Sequence, residues 1–314
     1  MYIWLARDNH AISLPAIPVM FADFQRVGII GRLDKPVITD SLDLVVDVLK
    51  KSERDIVIEE QTASLIAGNN GKVVSRNELH DCDLVIVVGG DGSILGIAKD
   101  LVDTDVPVLG INRGRLGFLA DIYPDHIESG LLAVLQGSYR LEVHFLLEHS
   151  IVRDDELIRR GIALNDVVVN SGSITRMMDF ALYINEEFVY SQRSDGLIIS
   201  TPTGSTAYAL SAGGPIMHPT LDAIVIVPMF PHTLTSRPLV VKGDSEIVVF
   251  VNSEDDFPLV TADSQEPFIL QPYDRVYIRK NPKGLNIVYP TTHNFYESCR
   301  SKLDWGSRLG GNNR

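Results

Sequence analysis

Cysteine is nearly absent from this sequence: its two copies, Cys82 and Cys299, stand far apart with no C-x-x-C partner. That argues against a disulfide framework and against a zinc site of paired thiolates, and a reducing, cytoplasmic compartment is expected. Long apolar runs are also missing. Leu84–Val88 and Ile224–Val227 are strand-sized, whereas a membrane-spanning helix needs about 18 apolar residues. Cations are the minority charge, with 28 Lys and Arg against 41 Asp and Glu and a formal net charge of −13. Without a basic face to displace counterions, nucleic acid is not expected as a partner, and neither is a membrane. A small phosphate-bearing ligand stays open, because backbone N–H groups, a few arginines and a divalent cation can hold a polyanion in a shielded site.

What is present is a globular composition, 45% hydrophobic and 22% charged over 314 residues, long enough for two domains. Residues 1–20 show apolar residues in no clear period, with two prolines, and read as a disordered extension or a mis-assigned start, with Met20 as the true one. Arg7, Asp8, Asn9 and His10 interrupt any secretory apolar segment. From Arg26 to about Ser138 short apolar runs alternate with helical stretches. Strands are expected at Val27–Ile30, Asp55–Glu59, Leu84–Val88 and Val106–Ile111, with helices opening at Asp40-Ser41, after Asp91 with Ser93 as its cap, and over Pro124 to Leu135. From Tyr139 onward the pattern is mostly β, with strands expected at Ala163–Val169, Phe180–Ile184, Gly196–Ser200, Ile224–Val227, Glu246–Val251 and Arg275–Arg279. Gly213-Gly214-Pro215 and Asn281-Pro282-Lys283-Gly284 read as turns, and the Gly/Asn-rich end at 310–314 is expected to fray.

Three segments carry chemistry. In Asp83-Leu84-Val85-Ile86-Val87-Val88-Gly89-Gly90-Asp91-Gly92-Ser93 a fully apolar strand stops at a glycine turn holding one carboxylate. Such a turn admits a phosphate close to the backbone, at the strand end where α/β sheets bind ligands, although an ordinary strand-to-helix turn has the same look. Asn165-Asp166 places an amide and a carboxylate at the mouth of a buried strand, suited to ribose hydroxyls or adenine nitrogens, or else to a plain turn. The third segment, Arg193 to Pro215, sets small hydroxyl residues around glycine with no lysine in the Gly-Ser-Thr position, so it is not a Walker P-loop. A binding loop leading into a short helix capped by Ser205 or Thr206 explains its order.

Together with Gly110-Ile111-Asn112-Arg113-Gly114-Arg115-Leu116-Gly117-Phe118-Leu119, these segments resemble the NAD kinase family, in its Gram-negative bacterial type, over about residues 24 to 309. The resemblance implies an α/β Rossmann-like N-terminal domain at 21–138 and a mostly-β domain for NAD binding and oligomerisation at 139–292, the NAD kinase/diacylglycerol kinase-like fold. A segment at 293–314 then returns towards the N-terminal domain. It also implies ATP-dependent phosphorylation of the 2′-hydroxyl of the adenosine ribose of NAD, with Asp91 as candidate base and Gly92 beside it at the nucleotide. Asn165 and Asp166 are expected to hold NAD. Arg176, Arg193 and Asp195 match further dinucleotide contacts, Arg176 at a position that varies between His and Arg in the family. Thr206, Ala207, Tyr208, Ala209, Leu210 and Ser211 line the adenine side, and Gln265 closes the site. Arg193 can instead pair with Asp179 or Asp195, and Tyr208 can be core instead of a stacking platform. The partners implied are NAD and ATP, with a divalent cation, Mg²⁺, arriving on the ATP phosphates, and a homotetramer or homodimer built through the β domain.

One position departs from the family pattern: Glu-x-Arg at the start of the β domain reads Glu142-Val143-His144 here. A local change in an interdomain or subunit contact is expected, with activity kept. His144 and His149, five apart on a strand, fall on opposite faces and form no metal site. Two other readings share parts of the pattern. Lipid kinases of the diacylglycerol and sphingosine type and phosphofructokinases use a Gly-Gly-Asp-Gly turn without the Asp195-to-Pro215 block, and a non-catalytic NAD(P)-binding sensor would have no need of Asp91.

Overall fold

Branched apolar residues in runs too short for helices dictate the first half of the chain. The computed structural model describes residues 23–31, 38–66, 68, 71–113, 117–172, 176–252, 257–303 and 305; the expected extension at 1–20 and the expected frayed end lie outside them. Strands β1 (Arg26–Gly31), β2 (Asp55–Glu59), β3 (Lys72–Val74), β4 (Leu84–Gly89) and β5 (Val108–Asn112) form a parallel sheet in the order β3-β2-β1-β4-β5. All six residues of β4 are buried, and its alternation divides them between two layers. Leu84, Ile86 and Val88 meet Leu42, Val45 and Leu49 of helix α1 (Thr39–Lys51). Val85 and Val87 lie with Ile94, Ile97 and Leu101 of α3 (Asp91–Leu101), which follows the one-turn α2 (Glu60–Ala63). Helix α4 (Ile127–Leu135) completes the first layer with Leu131 and Val134, after a short 3-10 turn at Pro124–His126.

The second half begins with β6 (Tyr139–Arg153), β7 (Glu156–Ala163) and β8 (Asp166–Asn170), followed by β9 (Met178–Ile184), β10 (Glu187–Ser194) and β11 (Gly196–Ser200). The one-turn helix α5 (Tyr208–Ser211) leads to β12 (Ala223–Met229), β13 (Leu239–Lys242), β14 (Ile247–Val251), β15 (Leu259–Ala262), β16 (Phe268–Ile269) and β17 (Arg275–Pro290), and α6 (Phe295–Leu303) ends the described elements. A six-stranded sheet runs β13-β12-β11-β8-β15-β16. Its Val167, Leu197, Ile199 and Ile226 pack against Phe180, Leu182, Val249 and Ile278 of the other sheet.

The 16-residue β17 joins the halves. It lies parallel to β5 through Ile287↔Val108 and antiparallel to β6 and β14, so one eleven-stranded sheet runs from β3 through to β10. The turn expected at Asn281–Gly284 is instead a β-bulge inside this strand, where the register with β6 shifts between Lys280 and Gly284. Proline and glycine break the ladder there without ending it. The strand expected over Ala163–Val169 is interrupted at Leu164–Asn165, because the N–H groups of both residues are taken by the Asp263 carboxylate. Among the described residues, no helix is long and apolar enough to cross a membrane.

Candidate active site

Asp91 stands where β4 gives way to α3. Gly90, in extended backbone, is the residue before the helix, and no side chain caps it. The expected Ser93 cap is not formed: Ser93 N–H donates to the Gly90 carbonyl at 2.9 Å, and its Oγ is buried with no partner. The Asp91 carboxylate turns to the loop after β5. Oδ2 accepts from Phe118 N–H at 2.8 Å, and Oδ1 accepts from Leu119 and Ala120 N–H at 3.1 and 3.2 Å. Gly117 permits this approach, since a Cβ there would lie 2.1 Å from Asp91 Oδ1. The fourth partner is Lys302 of α6, whose Nζ is 3.3 Å from Oδ2 and 4.2 Å from the Phe118 ring centroid. Helix α6 is seated by Phe295, whose ring lies 6.1 Å from Phe118 and 4.9 Å from His218. Sequence reasoning missed Lys302, which lies 211 residues from its partner and has no motif around it.

Asn165 and Asp166 are fixed by a second carboxylate. Asp263 accepts from the N–H groups of Leu164 and Asn165 at 2.8 Å each and of Asp166 at 3.2 Å. The Asn165 carbonyl in turn accepts from Thr201 N–H at 2.9 Å and Ser200 Oγ at 3.1 Å. Gly204 packs on that carbonyl so closely that a Cβ would lie 2.1 Å from it. The binding loop therefore rests directly on the Asn165 backbone. Its hydroxyls hold the loop together and do not cap a helix: Ser205 Oγ donates to the Pro202 carbonyl at 2.6 Å and accepts from Met217 N–H at 2.9 Å, and Thr206 Oγ1 donates to the Thr203 carbonyl at 3.2 Å. The residue before α5 is Ala207, again without a side-chain cap. Tyr208 is 44% exposed and so is not core, whereas Ala209 is buried among Val225 and Val227. Leu210 is half-buried and Ser211 exposed.

The Asp166 side chain is buried and makes no hydrogen bond to a described residue. Burial, and then the charge of Asp263, pushes its pKa up to about 7 from an ordinary 3.8. Ionising it costs the fold, so its contribution to stability is full below about 3.8 and is lost as pH rises through about 7. The loss is at most about 4 kcal/mol. Asp166→Asn is expected to be more stable than wild type at pH 8 and no more stable at pH 4, as read from urea unfolding at both values. An equal difference at both would contradict the assignment.

His144 is buried within the chain, with Nδ1 2.8 Å from Thr203 Oγ1 and Nε2 3.3 Å from Tyr289 Oη. The departure from the family pattern thus falls at the joint between the binding loop and β17. Burial, then the charges of His293 and His218, lowers its pKa to about 4. His149 lies against Gly161 and is likewise lowered to about 4, by burial and then by Arg159 and Lys99. Both histidines therefore favour the fold fully above their ordinary 6.5, and that stability is lost as pH falls towards 4. Among the described residues, no three His, Cys, Asp or Glu side chains cluster as metal ligands.

The predicted residues form two groups. Gly92 and Gln265 line one open cleft of about 540 Å³ with Lys99 and Asp263, and Asp263 carries Asn165 and Asp166. Arg193 and Asp195 lie at the far end of β8 and β11, beside the Gly196↔Asn170 pair, whereas Asp166 pairs with Ser200 at the near end. At about 3.3 Å per residue the two ends are about 13 Å apart. Arg193 Nε is 3.9 Å from Asp179 Oδ2, both side chains being more than half exposed, so the alternative pairing with Asp179 is made but is weak and leaves Arg193 accessible. Asp195 is tied by its backbone to Ser171 and Met229, and Arg176 is exposed just before β9.

The ATP-NAD kinase N-terminal domain matches residues 27–139, and the ATP-NAD kinase C-terminal domain matches residues 164–289. The chain belongs to the ATP-NAD kinase family. Among its relatives in this family, the NAD kinase of Azotobacter vinelandii is 54% identical over 290 residues, 92% of this chain and 98% of that one. The NAD kinase of Teredinibacter turnerae is 52% identical over 289 residues, 91% and 99% of the two chains. An Archaeoglobus fulgidus NAD kinase solved in complex with ATP superposes with a TM-score of 0.70 at 27% identity, covering 88% of this chain and 99% of that one. Yeast NADH kinase complexed with NADH shares the fold, with a TM-score of 0.83 at 24% identity, covering 92% and 91%.

Proposed function

We infer that this chain is a NAD kinase that transfers a phosphoryl group from ATP to the 2′-hydroxyl of the adenosine ribose of NAD, giving NADP. The observation that carries the reading is the Asp91 carboxylate, held by three backbone N–H groups at the start of α3 beside the cleft of Gly92 and Gln265. A ribose hydroxyl is a poor nucleophile at neutral pH, and a carboxylate within hydrogen-bond reach takes its proton as it attacks. Both Asp91 oxygens are already acceptors, so the hydroxyl reaches Oδ2 by replacing Lys302. The ammonium released is then available to the transferring phosphoryl group, where positive charge is most effective.

Asn165 and Asp166 serve the ribose or adenine, and the unpartnered Asp166 carboxylate supports this, since ligand hydroxyls would satisfy it. Thr206–Ser211 forms the adenine wall, with the exposed Tyr208 ring as its stacking face. Arg176, Arg193 and Asp195 take the other end of an extended dinucleotide, and Gln265 closes the cleft. The residues fit a divalent cation arriving with ATP, because Asp91 stands next to Gly92 of the cleft, whose own acids are Asp100 and Asp263, and Mg²⁺ binds through phosphates and one or two carboxylates. When bound, Mg²⁺ supplies neutralisation of the triphosphate charge, and Asp91 is the carboxylate placed to share it. A homotetramer or homodimer through the β domain is supported by exposed apolar residues there: Phe188 on β10, Phe230, Leu234, and Val240 on the edge strand β13. A cytoplasmic location accords with two buried free cysteines.

The test is a coupled assay of the purified chain with ATP, Mg²⁺ and NAD, reading NADP through a strictly NADP-dependent dehydrogenase. NADP formation is expected. NAD binding by calorimetry with no NADP formed would overturn the reading in favour of a sensor.

A further inference from the structure

Beyond the cleft of Gly92 and Gln265 lies a second cavity of about 480 Å³, between the β6–β7 hairpin and β15–β16. Lys99 and Gln265 line both spaces. The walls of the second carry three cations, Lys99, Arg159 and Arg160, none of which forms an ion pair with a described residue. The Arg159 guanidinium is fixed over the Phe268 ring, 5.3 Å from its centroid. Of the two carboxylates lining the cavity, Glu148 is engaged by Arg279 and Asn281, which leaves Glu266 against Arg159, Arg160 and Lys99, the last of which also interacts with the Asp263 carboxylate of the adjoining cleft. The wall also holds His149, 5% exposed, whose Nδ1 has no hydrogen-bond partner. A buried polar atom left unpaired costs free energy that a ligand can recover.

We propose that this cavity is an anion subsite for the phosphate group of a phosphorylated small ligand. Arg159, on the same face of the hairpin as His149, supplies a planar guanidinium contact, Lys99 a point charge, and His149 a ring nitrogen, while the exposed Arg160, next along β7, adds positive charge at the rim. Guanidinium groups match phosphate oxygens two at a time, and Lys adds charge without that geometry. His149 is held neutral, with its pKa lowered to about 4 by burial and by Arg159 and Lys99, so it adds no fourth charge and can offer one N–H. Lys99 is eight residues along α3 from Asp91, about 12 Å of helix, so the phosphate held here is not the one being transferred. Its source is either a non-reacting phosphate of a substrate or a separate phosphorylated effector.

The experiment is calorimetric titration of the purified wild-type protein and of an Arg159→Ala/Arg160→Ala double variant with inorganic pyrophosphate. Melting temperatures confirm that the variant is folded, and Lys99→Gln provides a second, independently placed change. Binding by wild type that is weakened at least about tenfold, or loses one site, in both variants is the expected result. The ring resonances of His149 are expected to shift on titration in the wild type. If the KM for ATP or for NAD rises in step while kcat holds, the phosphate belongs to that substrate. If both KM values hold while pyrophosphate binding is lost, the ligand is a separate effector. Pyrophosphate binding that is absent from wild type, or is unchanged in both variants, overturns the proposal. The binding readout needs no turnover, so its failure is distinct from failure of the kinase assay.

Discussion

Asp91→Asn is expected to bind NAD and to lose turnover by about 10²–10⁴-fold, the range of a lost general base. The structure adds a second reason for the loss. Both carboxylate oxygens face donors, Oδ1 towards Leu119 and Ala120 and Oδ2 towards Phe118 and Lys302. An asparagine has one acceptor oxygen, and its amide would confront either an N–H or an ammonium, leaving a donor unsatisfied at about 1–3 kcal/mol. The loop at 117–120 should shift, and with it the floor under the reacting hydroxyl. Measuring kcat, NAD affinity and melting temperature together separates the effects. A fall in kcat with unchanged affinity and melting temperature assigns the loss to proton transfer, a fall in all three assigns part of it to the loop, and unchanged kcat removes Asp91 from the chemistry.

Lys302→Ala is expected to lower kcat/KM for ATP by about 10²–10³-fold, as removal of one preorganised positive donor does elsewhere. The ammonium is caught between the Asp91 carboxylate and the Phe118 ring, on a helix anchored by Phe295. It is therefore positioned before any ligand arrives, and its removal leaves most of the α6 packing in place. Lys302→Arg should restore part of the activity, because charge is retained with altered geometry. NAD affinity should change little. An alanine variant with wild-type kcat/KM would confine Lys302 to holding Asp91 in the unliganded protein.

How far the fold and site were legible depends on the range over which each residue finds its partners. The strand Leu84–Val88 and the glycine turn after it were plain, because five consecutive apolar residues and Gly89-Gly90 are local signals. The length of β6 and β17 was not, since each is stabilised by pairing with a strand more than a hundred residues away and β17 passes through a Pro-Lys-Gly bulge that reads as a turn. Ser93, Ser205 and Thr206 sit where caps belong, yet Ser205 and Thr206 spend their hydroxyls on nearby carbonyls and Ser93 on none. Asp263 is the residue that positions Asn165 and Asp166, and nothing in the sequence around it marks a carboxylate accepting three backbone N–H groups from 97 to 99 residues earlier.

The position of β17 has a consequence for how the polypeptide is made. The strand that lies beside β5 in the middle of the largest sheet is the last of the strands to leave the ribosome. Until then the nascent α/β half has every strand but that neighbour, and β5 presents an open row of N–H and carbonyl groups that invites pairing with another chain. A polypeptide terminated before Ile287, the residue that pairs with Val108 of β5, would carry that exposed edge permanently.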